Sequence, residues 1–280
     1  MAYNLVVLYL ITYWLMKITL IITTYNWPQA LLVALESINE QTLAPDEVII
    51  ADDGSTLETK KIIKDFKKNS DLNIIHIWQE DKGFRAARSR NNALYNSSGD
   101  YIILIDGDMI LHKNFIHDHV LSSEHGYFVQ GSRVLINEIK SKKIFFENKF
   151  NLSFFSSGLK NRKNSIRSKF LSSLFSNKKN HLRGIKSCNL AFFRKDCMNI
   201  NGFNNEFEGW GSEDSEFIAR LINSGIKRKN LRFNAIQFHL WHNEKSRKML
   251  DKNNLILKNT IQNSIVRCKN GISSVNDYEN

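Results

Sequence analysis

Cysteine and proline are scarce in this chain, whose 280 residues include three cysteines and two prolines. Cys188, Cys197 and Cys268 have neither the paired spacing of zinc ligands nor the number that a disulfide framework requires. These absences exclude a small fold that is held together by zinc or by disulfides. They also predict a reducing, cytoplasmic setting for the protein.

Acidic residues are outnumbered, because 28 Asp and Glu stand against 39 Lys and Arg and give a formal net charge of +11 at pH 7. A basic protein of this kind attracts nucleotide phosphates, nucleic acid or an acidic membrane face. The sequence has no helix-turn-helix, zinc-finger or RNP pattern, so nucleic acid is not expected as a partner.

One uncharged, mostly apolar segment opens the chain, residues 1–16, MAYNLVVLYLITYWLM. It lacks the basic start and the small-residue cleavage site of a secretory signal, and it is shorter than the roughly 20 residues that span a bilayer. Two interpretations remain, a short membrane-contacting helix or a natural start at Met16. We favour the second, because residues 18–23 already have the pattern of a first core strand.

No Gly/Ser-rich linker and no internal repeat divides the chain, so one large domain with appendages is expected. Its first part alternates strand and helix patterns. Apolar runs at 17–26, 46–56, 72–80 and 100–108 predict strands, and segments 27–42, 57–70 and 84–99 predict helices. This alternation predicts an α/β fold with a mostly parallel central sheet that is flanked by helices.

The composition changes over residues 139–186, which hold 13 Lys and Arg, seven Phe and a single acid, Glu147. This basic insert is expected to be partly mobile or to form a helical flap. Its surface could be simply solvated, or it could contact anionic lipid or an anionic acceptor. After it, segment 209–225 is a Gly-rich loop and an amphipathic helix, 234–242 is a strand that ends in two histidines, and 246–280 is a loosely held tail.

Three predicted strands end in polar clusters, TTYN, ADDGST and DGD. Ligands of open parallel sheets bind at the carboxyl ends of the strands, so these clusters are expected to face one crevice. Asp106 and Asp108 end a strand that otherwise has core character, where an unpaired carboxylate is costly. The pair could simply form a turn, or it could hold Mg²⁺ or Mn²⁺ through oxygen ligands.

These segments together carry a resemblance to a known family. Residues 20–55, with DKGFRAARSRNNAL and YIILIDGD, resemble a family 2 glycosyltransferase of the GT-A fold. GFNNEFEGWGSEDSEF is similar to the C-terminal signature of galactosyltransferases and of bacterial chondroitin-polymerase-type domains. The resemblance covers residues 17–245, with 17–110 as the nucleotide-binding half and 187–245 as the acceptor and catalytic half. Ser212 stands where the signature often has a second glycine, and the basic insert matches nothing in it.

The resemblance implies that eight residues bind the nucleotide sugar, namely Thr24, Tyr25, Asn26, Asp52, Asp53, Arg85, Arg88 and Asp106. Asp52 or Asp53 would accept hydrogen bonds from the base or the ribose, although one of them could instead cap a turn. Arg85 and Arg88 lie near a helix start, where an anionic diphosphate is favoured. Surface ion pairing is the alternative for both arginines.

The same resemblance implies a metal site at Asp106 and Asp108, with Asp108 as the direct ligand of Mn²⁺ or Mg²⁺. His239 and His242 would complete the coordination, His239 being slightly preferred, although a histidine pair is often ordinary structure. The ion would neutralise the leaving diphosphate.

For catalysis, the resemblance places the base at Asp214 and acceptor binding at Trp210, Gly211 and Glu213, with Glu213 also close to the chemistry. Gly209 and Gly211 would permit close approach or loop movement. Alternatively, the acidic residues simply favour a helix start.

The expected function is therefore inverting, metal-dependent transfer of a hexose or N-acetylhexosamine, of the Gal, GalNAc or Glc type, from a UDP-sugar. The acceptor would be a hydroxyl of a bacterial surface glycan such as capsule, O-antigen or lipopolysaccharide. The alternative is a basic nucleic-acid- or membrane-binding protein without catalysis. The expected location is cytoplasmic, with peripheral contact at the inner face of the membrane left open.

Overall fold

The computed structural model describes residues 16–147, 149–243 and 247–275. Most of the N-terminal apolar segment lies outside the described residues, so neither interpretation of it is tested. Met16, where the description begins, packs at the edge of a buried core.

The first part of the chain alternates strand and helix as the sequence predicts. Its elements are β1 (Ile18–Thr24), α1 (Pro28–Asn39), β2 (Glu47–Asp52), α2 (Leu57–Lys68), β3 (Ile74–Trp78), α3 (Ala86–Tyr95) and β4 (Tyr101–Asp106). Pro28 occupies the first turn of α1, where its missing N–H removes no helical hydrogen bond. The predicted apolar stripe of α1, at Leu31, Leu35 and Ile38, is fully buried.

The second part is less regular. It contains β5 (Met109–Leu111), α4 (Phe115–Ser122), β6 (Tyr127–Gln130), β7 (Val134–Ile136), α5 (Glu138–Glu147), β8 (Leu159–Lys160), α6 (Lys169–Phe175) and β9 (Asn177–Lys178). It continues with β10 (Leu190–Phe193), α7 (Arg194–Asn199), α8 (Glu213–Asn223), β11 (Lys227–Asn230), β12 (Gln237–His239) and α9 (Leu250–Gln262). Short 3₁₀ turns occur at Arg162–Ser165, Ser187–Asn189 and Ile272–Ser274.

An eight-stranded sheet in the order β3-β2-β1-β4-β10-β6-β11-β9 forms the centre of the molecule. The strands β3, β2, β1 and β4 are parallel, whereas β10 is antiparallel to both of its neighbours. Alternate residues of each central strand enter opposite cores, as Leu20 and Ile21 do in β1. Helices cover both faces, which is why these strands are apolar throughout. The predicted α/β architecture is thereby confirmed.

A smaller sheet in the order β5-β12-β7-β8 lies beside the main one. The strand predicted over residues 234–242 is confined to β12, which pairs antiparallel with β5 and parallel with β7. This sheet has a buried core of its own that includes Ile110, Val134 and Phe238. Its importance for the site is that it places the end of β12 beside the end of β4.

The basic insert forms secondary structure that is joined to both sheets. It supplies α5 and α6, and its strands β8 and β9 add an edge to the small and the main sheet. Arg167 makes two hydrogen bonds, of 2.9 and 2.7 Å, to the buried Asp118 of α4 and so ties the insert to the core. The insert is therefore an integral wall of the fold.

The tail is held more closely than its polar composition predicts. Asn253 and Thr260 of α9 are buried, and the Thr260 hydroxyl donates to the Glu216 carboxylate of α8 at 3.1 Å. Farther along the chain, Ile272 is buried in the core that also contains Ile21 of β1. Through the described ranges, which stop at residue 275, no helix is both long enough and apolar enough to cross a membrane.

Candidate active site

The ends of β1, β2 and β4 lie at one edge of the sheet. Thr24 is in register with Asp52, and Thr23 is in register with Asp106, because the three strands are parallel neighbours. A cleft of about 840 Å³ opens at this edge. It is lined by predicted site residues from all parts of the chain, namely Thr24, Tyr25, Asn26, Asp53, Asp106, Asp108, Trp210, Gly211, Glu213, Asp214, His239 and His242.

Asp108, His239 and His242 form a compact cluster whose ligand atoms all lie within 4.8 Å of one another. Asp108 Oδ2 is 3.3 Å from His239 Nε2 and 3.4 Å from His242 Nε2. The small sheet explains this meeting of distant residues, since His239 is paired with Met109 and the Leu240 N–H donates to the Asp108 carbonyl at 3.0 Å. The predicted grouping of these three residues is thus present in space.

The cluster fits a divalent cation. Asp108 Oδ1 is buried and accepts no hydrogen bond from the residues that the structure describes. His242 Nδ1 lies 2.7 Å from the Asn243 carbonyl, and donating its proton there leaves the Nε2 lone pair facing Asp108. Burial raises the pKa of Asp108, but the hydrogen bond and charge of His239, with further charge from His242 and Arg133, outweigh burial and bring the pKa below its usual value. A deprotonated carboxylate and two imidazoles are a suitable ligand set.

Asp106 lies outside this three-residue cluster, although it was predicted as a ligand. Its Oδ1 is 3.6 Å from Nη2 of Arg90 instead. Burial raises its pKa to about 6, with Arg90 opposing and Asp108 adding to the rise. Asp106 therefore lies between the Asp108–His239–His242 cluster and the buried Arg90.

Arg90 is the functional residue that sequence reasoning missed. Its guanidinium is buried and donates to Asp214 Oδ1 at 3.2 Å and to Ser187 Oγ at 2.8 Å, while Glu213 Oε1 lies at 3.7 Å. One cation thus faces the two carboxylates of the GWGSED segment as well as Asp106. The sequence did contain one signal for its burial: Arg90 follows Ala86 by one helical turn and so lies on the same buried face of α3.

Asp214 and Glu213 begin α8 and line the cleft. Asp214 Oδ2 accepts the Ser187 N–H at 2.8 Å, which together with Arg90 holds the carboxylate in one orientation. Glu213 Oε2 accepts the Gly211 N–H at 3.2 Å. Burial and the charge of Asp214 raise the pKa of Glu213 to about 7, against the opposing effect of Arg90.

The turn before these carboxylates requires glycine. Gly209 and Gly211 have φ of +70° and +115°, and a Cβ on Gly211 would lie 2.7 Å from Leu250. Ser212 also has a positive φ, +68°, and its hydroxyl is 2.6 Å from Asn254 Oδ1 on α9. Trp210 lines the cleft and is 41% exposed, and the Arg247 guanidinium lies over its ring, 5.4 Å from the centroid.

Asp53 and Asp52 differ in their positions relative to the cleft. Asp53 lines the cleft and accepts hydrogen bonds from Gln79 Nε2 at 2.6 Å and from the Arg85 N–H at 2.7 Å. Asp52 does not line it, since its carboxylate accepts the Ser55 N–H at 2.8 Å and pairs with His76 at 2.8 Å. Asp52 is therefore the turn-capping member of the pair.

The two arginines assigned to the diphosphate are not brought to the cleft. Neither Arg85 nor Arg88 belongs to its lining. The Arg85 guanidinium bonds to the Glu80 carbonyl, and its contribution near the site is the backbone N–H on Asp53. Of the arginines in this part of the sequence, Arg90 does line the cleft, one helical turn beyond Ala86.

Comparisons with known proteins agree with this geometry. The sequence model of the family described as "Glycosyl transferase family 2" matches residues 19–198, and the one described as "N-terminal domain of galactosyltransferase" matches residues 169–243. The chain is similar to a hyaluronan synthase of Pasteurella multocida, with 30% identity over 74% of this chain and 23% of the relative. It is also similar to a chondroitin synthase of Escherichia coli, with 26% identity over 79% of this chain and 34% of the relative. The chain thus spans only about a quarter to a third of these relatives.

Solved structures share the fold at low sequence identity. TarS 1-349 of S. aureus, in complex with UDP-GlcNAc, superposes with a TM-score of 0.62 at 15% identity, over 92% of this chain and 69% of that one. A mannosyltransferase from Pyrobaculum calidifontis, in complex with GDP-Man and Mn²⁺, gives a TM-score of 0.55 at 17% identity, over 80% of this chain and 57% of that one. These likenesses confirm the predicted GT-A fold.

Proposed function

Because the chain belongs to glycosyl transferase family 2, we propose that it is an inverting, metal-dependent transferase acting on a UDP-sugar. The transferred sugar is a hexose or an N-acetylhexosamine of the Gal, GalNAc or Glc type, and the acceptor is a hydroxyl of a bacterial surface glycan. Residues 17–245 form the catalytic domain in this proposal, and 246–280 form its tail. One observation carries it, which is that the Asp108–His239–His242 cluster and Asp214 line the same cleft.

The choice of donor and acceptor is supported by what the similar proteins are. The relatives include synthases of hyaluronan and chondroitin, and one structural neighbour is in complex with UDP-GlcNAc. In this chain Thr24, Tyr25, Asn26 and Asp53 line the end of the cleft that would receive the nucleoside. Asp53 there has a carboxylate held by two hydrogen bonds, which suits an acceptor for base or ribose protons.

Asp108, His239 and His242 would hold Mn²⁺ or Mg²⁺, with Asp106 facing the same space. A divalent ion at this position would stabilise the negative charge of a departing nucleoside diphosphate. The protein's own contribution is the arrangement of its ligands, because β4 and β12 are joined through β5 and present Asp108 and His239 side by side. A neighbour of the same fold is in complex with Mn²⁺.

Asp214 is the proposed base, and it would accept the proton of the acceptor hydroxyl as that oxygen attacks the anomeric carbon. Its orientation is set by Arg90 and by the Ser187 N–H. Glu213, with a pKa near 7, is suited to hydrogen-bonding another acceptor hydroxyl. Trp210 is partly exposed in the cleft, and its indole would pack against a sugar ring of the acceptor.

We further propose that the insert contacts an anionic membrane surface. Its helix α5 exposes Ile139 and Phe146 on one face, and Lys142 and Lys143 lie between them. Exposed apolar side chains interleaved with lysines match a surface of anionic headgroups over acyl chains. Vesicle flotation tests this, since Ile139→Ser with Phe146→Ser should abolish binding to phosphatidylglycerol vesicles. The control Leu57→Ser, at an exposed apolar residue of α2, should bind normally, and equal binding by all three proteins would refute the contact.

A panel of nucleotide sugars tests the catalytic proposal. Thermal unfolding is followed with each donor, with and without Mn²⁺, because a ligand that binds the folded state raises its stability by mass action. A UDP-sugar with Mn²⁺ should raise the melting temperature most, and the same sugar should be transferred or hydrolysed. Stabilisation by no UDP-sugar, or equally strong stabilisation without any divalent ion, would contradict the proposal.

A further inference from the structure

A second pocket, of about 510 Å³, lies beside the cleft and is strongly basic. Its lining contains Arg133, Lys179, Lys186, Arg228 and Arg232. It contains no aspartate or glutamate among the residues that the structure describes. The basic insert builds much of its wall, from residue 161 to residue 186, and the ends of β6 and β11 supply the rest.

The cations of this pocket are not neutralised by the protein. Within the described part of the chain, none of the five has a carboxylate within ion-pairing distance, whereas Lys178 and Lys229 nearby both pair with Glu124. Arg228 is only 4% exposed, and its Nη1 is held by the His181 and Arg183 carbonyls. The His181 ring Nδ1 also lies 3.0 Å from Nη1. Because no carboxylate of the described residues pairs with this guanidinium, its buried positive charge stays uncompensated, which is costly in the absence of an anion.

Arg228 also has unused donor capacity. Its Nε is buried and makes no hydrogen bond to the described residues. Burial lowers the pKa of its guanidinium, as is expected for a buried cation that has no carboxylate partner. A guanidinium that is rigidly held and incompletely paired is the arrangement by which proteins bind planar or tetrahedral oxyanions.

The pocket is continuous with the active-site cleft. Arg133, Lys186 and Cys188 line both. The chain between them, at Ser187, donates its N–H to Asp214, so the proposed base and the basic pocket lie on two sides of the same short segment. A molecule whose hydroxyl reaches Asp214 can therefore extend past Lys186 into the pocket.

We infer that this basic pocket binds an oxyanion group, a phosphate or a carboxylate, carried by the acceptor. The inference rests on the proposed transferase function and extends it, because it assigns the acceptor a negative charge close to the reacting hydroxyl. It also gives the basic insert a role, which is to complete the wall of the acceptor site. Phosphate and carboxylate share the recognition chemistry, and binding experiments separate them.

The test is calorimetric titration of the metal-free full chain with inorganic phosphate, glucuronic acid and neutral glucose, at constant ionic strength. Lys179→Gln with Arg232→Gln removes two exposed cations of the pocket, so folding should be preserved. Lys149→Gln with Lys169→Gln removes two exposed lysines of the insert that do not line the pocket, and it serves as the charge-matched control. Unliganded melting curves verify that each variant is folded.

We expect phosphate, glucuronate or both to bind, glucose not to bind, and the pocket variant to weaken binding about tenfold or more. The control variant should bind as the unaltered protein does. Tighter binding of phosphate would indicate a phosphorylated acceptor, and tighter binding of glucuronate a uronic-acid glycan. Absent anion binding, or equal weakening in both variants, would overturn the inference. UDP binding with Mn²⁺, measured in parallel on the unaltered protein, reports separately on the proposed function.

Discussion

At the scale of single residues, the proposed chemistry depends on Asp214. Its carboxylate lines the cleft and accepts hydrogen bonds from Arg90 and from the Ser187 N–H. We predict that Asp214→Asn lowers transfer by about 10²–10⁴-fold, because the amide cannot accept the hydroxyl proton. Steady-state transfer assays measure this, and thermal stabilisation by UDP with Mn²⁺ should be retained. Asp71→Asn, at an exposed carboxylate far from the cleft, is the control, and comparable activity in both variants would exclude Asp214 as the base.

Glu213 allows a second residue-scale prediction, on stability. Burial and Asp214 raise its pKa from 4.5 to about 7. Between these values the folded protein retains a proton that the unfolded chain has released, so the free energy of unfolding falls as the pH rises through this window. Glutamine has no such proton. Glu213→Gln should therefore gain stability relative to the unaltered protein, and the gain should be about 2 kcal/mol larger at pH 8 than at pH 5.

Urea unfolding at the two pH values, without metal or nucleotide, measures that gain. Glu40→Gln, at an exposed carboxylate after α1, should show no comparable pH dependence. If the gain were the same at pH 5 and pH 8, Glu213 would not titrate in this range and its proposed hydrogen bonding to the acceptor would lose its basis.

Part of the candidate site could be proposed from residue types, because a carboxylate at the end of an apolar strand is costly unless it is paired, whereas the role of the two histidines was implied by the family resemblance. The cleft brings Asp108, His239 and His242 together as expected. Arg90 was missed because residue type alone does not separate it from Arg85 and Arg88, although its helical spacing from Ala86 was a signal. Its contact with Asp214 becomes visible only when α3 packs against the start of α8. The roles of the residues stay predictions until they are tested.

At the scale of secondary-structure elements, the turn into α8 stores a conformational cost. Ser212 has φ of +68°, where a side chain costs about 1 kcal/mol relative to glycine, and its hydroxyl is tied to Asn254 of α9. This cost explains why the galactosyltransferase-type signature often has glycine at the position of Ser212. Ser212→Ala should destabilise more than Ser212→Gly, because alanine keeps the strain and loses the hydrogen bond. Chemical unfolding of both variants gives the order, and a more stable alanine variant would contradict it.

The anchoring of the insert gives another prediction about elements. Asp118 is 1% exposed and receives both hydrogen bonds of Arg167. Arg167→Leu should cost about 3–5 kcal/mol, since it leaves a buried carboxylate without its cation. Arg183→Leu removes an exposed arginine of the insert that makes no ion pair in the described structure, and it should cost about 0.5 kcal/mol or less. Denaturant midpoints compare them, and similar midpoints would mean that the insert is not anchored there.

The regular elements β1, α1, β2, α2, β3 and β4 could be predicted because their apolar residues recur with one period over several turns or strand residues. The short strands β8 and β9 could not, since two residues carry no period and their pairing depends on distant partners. The tail was misjudged for a related reason. Its polar Asn253 and Thr260 are buried through specific hydrogen bonds to Glu208 and Glu216, which composition does not reveal.

At the scale of the whole molecule, the order of motifs indicated the GT-A fold, and the topology shows why the motifs converge. Parallel β1, β2 and β4 bring three strand ends to one edge, and the small sheet returns β12 to the same edge. The basic pocket was signalled only in part, by the basic insert, for which contact with an anionic acceptor was one alternative. Its other walls come from β6 and β11, which carry no such signal when read alone.

The most direct test of the account measures Mn²⁺ binding by electron paramagnetic resonance in the presence of UDP. It asks whether the Asp108–His239–His242 cluster and the proposed base Asp214 are separate parts of one cleft. We predict one bound Mn²⁺ per chain. Asp108→Ala should weaken its binding about 100-fold or more, since the ligand carboxylate is lost, whereas Asp214→Asn should leave it within about twofold. Unchanged Mn²⁺ binding in Asp108→Ala would contradict the assignment of the metal to Asp108, His239 and His242.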